Sequence, residues 1–186
     1  MILKLKKDKR GVIGIIFFFM ILFAILILGF IGAVAVGILD YTSDTITPVM
    51  EDLGMIEDTN ISEASTYTFG VIDGFTQAIP WLLALAYISA LIFSIVFVLA
   101  YNTNPNPAFI GLYLGFIILL ILGSIIISNA YEEIYNGTDD IASRLQDNIA
   151  MSYLILYSPF ILTVIAFITG IYLFAGKQNE TGGYGV

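Results

Sequence analysis

The chain has no cysteine and no histidine, and only seven Lys or Arg among its 186 residues. Without cysteine there are no disulfides and no thiolate chemistry; without histidine there are no imidazole metal ligands, no histidine-bound haem and no ordinary neutral-pH proton shuttle. Charge is scarce too. Asp, Glu, Lys and Arg make up 12% of the chain against 59% hydrophobic residues, with a mean hydropathy of +0.94. Soluble domains do not have this composition, so the expectation is an integral membrane protein of one-domain length. The net charge of −8 argues against general nucleic-acid binding, the basic N-terminal tail aside.

Long apolar runs are what the sequence does have. A membrane helix needs about 20 mostly apolar residues, since the hydrocarbon core is about 30 Å thick. Four uncharged stretches qualify, approximately 12–39, 78–101, 109–130 and 151–175. The expected fold is all-α, a four-helix membrane bundle forming a single domain over residues 1–186. Its charge sits in the tails and loops. The segment 40–77 carries eight acids and no base, and 131–150 carries five acids and only Arg144. Lys4, Lys6, Lys7, Lys9 and Arg10 precede the first span, and Lys177 follows the last. By the positive-inside rule both termini are cytoplasmic and both acidic segments face outward. "NTNPNP", Asn102 to Pro107, then reads as a tight turn between the second and third spans.

The first apolar run is far longer than a secretory h-region, although "AVA" at Ala33 to Ala35 has the small-x-small form of a cleavage site. "KRGVIGIIFFFM", Lys9 to Met20, resembles an archaeal pilin or archaellin leader, without the acidic residue such leaders carry just inside the mature run. The expectation is a retained anchor.

The outer segments carry helix signals. In "TPVMEDLGMIED", Thr47 reads as an N-cap and Pro48 as a first-turn residue, with Val49, Leu53 and Ile56 at helical spacing, a short amphipathic helix. "NISE" places Asn60 as a cap with Glu63 three residues on, so the second helix is expected to start well before its span. In "NGTDDIASRLQDNIAMSY", Thr138 or Asp139 caps a helix whose Ile141, Leu145 and Ile149 run into the fourth span. Tyr41, Trp81, Tyr101, Tyr131, Tyr135 and Tyr153 lie near span ends, where amphipathic rings suit the headgroup region. Pro80 and Pro159 are expected to kink the second and fourth helices.

Lipid tails are as apolar as leucine, so membrane helices associate where small residues let backbones approach. Each span has such a ladder: Gly29, Ala33 and Gly37; Ala86, Ala90 and Ser94; Gly111 and Gly115, then Ser124 and Ser128; Ala166 and Gly170. Packing inside one bundle is the default use, and four ladders leave contact surface for another subunit. No Asp, Glu, Lys, Arg or His lies within the spans, which disfavours transporters and proton relays.

Glu132–Glu133 and Asp139–Asp140 read as solvated acidic loops, since no spacing matches a calcium-binding loop. No catalytic residue, metal ligand, cofactor or small-molecule substrate is expected. Asn60 in "NIS" and Asn136 in "NGT" are candidate glycosylation acceptors on the outer face; Asn179 in "NET" falls on the inner one.

"FVLAYNTNPNPAFIGLY", Phe97 to Tyr113, and "IISNAYEEIY", Ile126 to Tyr135, resemble stretches in small multi-spanning proteins of marine prokaryotic viruses that carry a membrane in the virion. The resemblance covers mainly the second hairpin. It implies a structural protein of a viral bilayer, meeting a capsid or neighbouring subunits through its outer segments. The expected function is thus a non-enzymatic structural or assembly membrane protein, self-associating or part of a larger complex in a cell or virion membrane. The alternatives are an accessory subunit of a cellular membrane complex and a channel or holin-like permeabiliser.

Overall fold

The computed structural model describes residues 2–56, 59–101 and 109–175, with side chains over 12–54, 60–100 and 109–174. The side chains of Lys4 to Arg10 and Tyr101, the "NTNPNP" turn, Lys177 and Asn179 lie outside that set. The described chain is helical apart from one two-residue ladder. Its elements are α1 (Ile2–Asp52), β1 (Met55–Ile56), β2 (Thr59–Asn60), α2 (Ile61–Tyr101), α3 (Ile110–Tyr135), α4 (Asp140–Asp147), α5 (Ile149–Leu156) and α6 (Ser158–Ala175).

α1 corrects the expectation of a separate surface helix starting at Thr47. The helix continues unbroken through Pro48 to Asp52. Threonine hydroxyls stay inside it, donating one turn back: Thr42 to Ile38 O (2.7 Å), Thr45 to Tyr41 O (2.8 Å) and Thr47 to Ser43 O (2.7 Å). Thr47 therefore spends its hydroxyl on a helix carbonyl and caps nothing. The stop comes at Gly54, whose φ of +59° is left-handed backbone that glycine adopts without a Cβ penalty. Gly54 N–H donates to Glu51 O at 3.3 Å, and its carbonyl accepts from Ile61 N–H at 2.9 Å. Between those bonds Met55 pairs with Asn60 and Ile56 with Thr59, antiparallel. Ile56 thus belongs to a ladder and not to a helical stripe.

The second expected start is observed. Asn60 Oδ1 accepts from Glu63 N–H at 3.2 Å while Asn60 Nδ2 reaches Glu63 Oε2 at 3.5 Å, and α2 then runs past Pro80 to Tyr101. Asp139 caps α4, accepting from Ala142 N–H at 2.9 Å. The fourth helix is less continuous than its hydropathy suggests. It ends at Asn148, whose N–H donates to Arg144 O, restarts as α5, and is bent again at Tyr157 before α6. Pro159 accounts for the second break: it has no N–H to donate, and its ring disfavours helical backbone at the residue before it.

The helices group into two compact units. One draws on 1–27, 87–128 and 157–186; the other on 28–86 and 129–156. In the first, Phe18, Phe19 and Leu22 of α1, Tyr113, Ile117 and Leu120 of α3, and Leu162 and Ala166 of α6 are buried. In the second, the buried set includes Ala33 and Val36 of α1, Ala84 of α2, Tyr131 of α3, Leu145 of α4, and Met151 and Ile155 of α5.

Candidate functional site

In the second unit the polar groups of α4 and its neighbours are tied into one another. Arg144 is the only base in the acidic segment 131–150, and its guanidinium forks across one turn of α1, to Asp40 at 3.1 Å and to Asp44. A planar fork suits two carboxylates four residues apart on one helix face. Between them on α1, three residues after Asp40, the buried Ser43 hydroxyl donates to Asp73 of α2 at 2.8 Å. Deeper, the Ser152 hydroxyl donates to Leu145 O at 2.6 Å, which leaves its oxygen to accept from the Tyr131 hydroxyl at 2.7 Å. That chain fastens the ends of α3, α4 and α5 where Asn148 interrupts the helix. Tyr131, near the end of the third expected span, is fully buried within the protein, with Phe30 edge-on at 6.2 Å. Tyr41, Trp81 and Tyr153 are exposed.

The first unit is organised around Tyr113. Its ring meets Phe19 edge-on at 5.1 Å, Phe18 in a stacked arrangement at 6.4 Å and Phe174 edge-on at 5.6 Å. Its hydroxyl donates to Ala166 O at 2.7 Å, so a buried tyrosine in the first turn of α3 stays satisfied among apolar neighbours. Three hydroxyls in this unit have no partner among the described residues: Tyr87, Ser158 and Thr169, all buried. Neither tyrosine was singled out from the sequence, because a lone tyrosine in an apolar run carries no positional signal.

Glycine shows which ladders the chain uses on itself. A Cβ on Gly37 would stand 3.1 Å from Leu145 Cδ2, and one on Gly170 only 2.7 Å from Tyr113 Cε1. Gly29, Ala33, Ser94, Ser124, Ser128 and Ala166 are buried as well. Gly32 against Leu83 and Gly123 against Phe23 make equally close approaches at 2.9 and 2.8 Å, outside the expected ladders. Ala90 is half-buried and Ala86 exposed. Gly111 and Gly115 are both exposed, and no atom lies within 4 Å of where a Cβ would stand, which is true also of Gly70 and Gly74 of α2.

The candidate acceptors Asn60 and Asn136 are both exposed. Among the described residues no three Asp or Glu side chains converge as metal ligands. By length and composition α1, α2 and α3 each suffice to cross a membrane, and α5 with α6, bent by 62°, would make a fourth span if the pair crosses as one and is not a re-entrant loop. Three to four helices of this length and composition are compatible with a multi-pass helical membrane protein. No protein-family model, curated protein or solved structure matches the chain.

Proposed function

We propose that the chain is a non-enzymatic structural or assembly protein of a bilayer, crossing it four times as a helix bundle with both termini on the cytoplasmic side and self-associating through α3. The observation that carries this reading is the unfilled Gly111–Gly115 edge. Within the expected ladders Gly37 and Gly170 are met by side chains of the same chain, whereas Gly111 and Gly115 open onto nothing within 4 Å, as do Gly70 and Gly74 of α2, outside those ladders. Between membrane helices, a small-xxx-small edge gains its packing energy only from another backbone laid against it. Exposed Leu114, Ile118 and Leu122 on the same helix supply apolar contact around it. The one-sided charge supports the orientation, with thirteen of fifteen acids in the two outward segments. The resemblance of Phe97 to Tyr113 and Ile126 to Tyr135 to virion membrane proteins supports a viral membrane as the setting.

The experiment is cross-linking and sedimentation of the detergent-solubilised chain. Wild type is expected to self-associate in proportion to its mole fraction in the micelle, and Gly111→Ile with Gly115→Ile to abolish association without loss of helicity. A wild-type chain that stays monomeric at every mole fraction refutes the interface. Stoichiometric copurification with purified virions tests the setting separately.

A further inference from the structure

The second unit holds a cavity of about 260 Å³ where α2 faces the junction of α4 and α5. Pro80, Trp81, Asp147, Asn148, Ile149 and Met151 line it. This is smaller than the usual pocket for a drug-sized ligand. Its lining is divided by the sequence itself. Asp147 and Asn148 end the polar helix α4, and the uncharged run of α5 begins with Ile149; on α2, Gln77 is the last strongly polar side chain before Pro80 and Trp81. Both walls therefore change from polar to apolar at the same level, as expected at a headgroup boundary.

We propose that this cavity seats the ammonium of a zwitterionic phospholipid headgroup, choline or ethanolamine. The proposal rests on the reading that these helices cross a bilayer. Three features of the lining favour a monovalent organic cation. Trp81 is 66% exposed, so its indole face is open to a cation, and indole is the strongest aromatic partner for one. Asp147 supplies the counter-charge: it makes no ion pair among the described residues, and the nearby guanidinium of Arg144 is taken by Asp40 and Asp44. The C-terminal end of the eight-residue α4 also points its negative pole at this site. A single carboxylate is too few oxygens for calcium, and no base lines the cavity to hold a phosphate. Ile149 and Met151 give the lower wall the apolar surface that the lipid's glycerol and acyl carbons need, which favours a lipid over a free amine in water.

Trp81 is the only tryptophan in the chain, so its fluorescence reports this cavity alone. The full chain, purified in maltoside, is titrated with phosphatidylcholine, phosphatidylethanolamine, phosphatidylglycerol and tetramethylammonium chloride, reading Trp81 emission and lipid retention by native mass spectrometry. The two ammonium lipids are expected to bind saturably and phosphatidylglycerol not to. Asp147→Asn is expected to weaken retention about threefold, the scale of one solvent-exposed charge pair, with Glu133→Gln unchanged. Should Asp147→Asn fail to fold, Trp81→Leu followed by mass spectrometry alone carries the same expectation. Equal binding of phosphatidylglycerol, indifference to both substitutions, or a response to tetramethylammonium with none to lipid would each overturn the proposal. Release of the chain from membranes by alkaline carbonate would instead overturn the bilayer reading itself.

Discussion

Replacing Gly170 by alanine should destabilise the chain, although the same change in an exposed stretch of helix is favourable. In a helix interior alanine exceeds glycine by about 1 kcal/mol. At position 170 that gain meets Tyr113, whose Cε1 would lie 2.7 Å and whose Cδ1 and Cζ would lie 3.4 Å from the new methyl. The ring has little room to retreat. Its hydroxyl is held by Ala166 O, and Phe18, Phe19 and Phe174 surround it. Forcing a methyl into such a core costs about 1–3 kcal/mol, so the net effect is a loss of about 1 kcal/mol. At Gly115, with nothing within 4 Å, the helix term stands alone. The two alanine variants should therefore differ by about 2 kcal/mol in opposite directions. The assay is unfolding of helicity by increasing dodecyl sulfate in maltoside micelles, in enough detergent to keep copies apart. Tyr113→Phe removes the tether to Ala166 O, so combining it with Gly170→Ala should cost at least about 0.5 kcal/mol less than the two changes summed. A Gly170→Ala chain as stable as Gly115→Ala, or strict additivity with Tyr113→Phe, would refute the claim that Tyr113 is pinned against α6.

Arg144→Met should cost about 1 kcal/mol, since all three charges are partly solvated and Asp40 and Asp44 would be left as like charges one turn apart; the loss should shrink in high salt and nearly vanish in an Asp40→Asn, Asp44→Asn background. Tyr131→Phe removes the hydroxyl that donates to Ser152 and should cost about 1 kcal/mol in the same unfolding assay, whereas Tyr87→Phe deletes a buried hydroxyl without a partner among the described residues and should be neutral or stabilising. At Asn60, aspartate keeps the cap on Glu63 N–H and destroys the sequon, while alanine destroys both. A gel-mobility change shared by both variants marks glycan at that site, and a stability loss of about 1 kcal/mol confined to Asn60→Ala marks the cap.

Apolar run length and capping chemistry were legible in the sequence because each is written locally. The start of α2 follows from Asn60 and Glu63 being three residues apart, and the start of α4 from Asp139 preceding Ala142 by three, with no help from the rest of the chain. The passage from α1 into the first outer segment was not legible, because the same residues satisfy two local rules. Thr47-Pro48 reads as a cap followed by a first-turn proline, and equally as a hydroxyl returned to Ser43 O inside a continuing helix. Which rule prevails depends on whether the preceding turn is already helical. Here Ser43 and Asp40 are held on α1 by Asp73 and Arg144, contacts 30 and 104 residues away in the chain, so the helix is fixed in register before Thr47 is reached.

The same dependence on distant partners explains which small residues matter. A glycine's ladder is visible in sequence, but its use is decided by the side chain opposite. Gly32 and Gly123 lie outside any tidy ladder and still receive Leu83 and Phe23 within 3 Å, while Gly111 and Gly115 form a regular ladder and receive nothing. Large side chains chose the glycines they needed for closing each unit. A regular small-residue edge left over after that closure has no internal packing to maintain, so substitutions there should leave the folded chain intact and act only where another helix comes to lie against it.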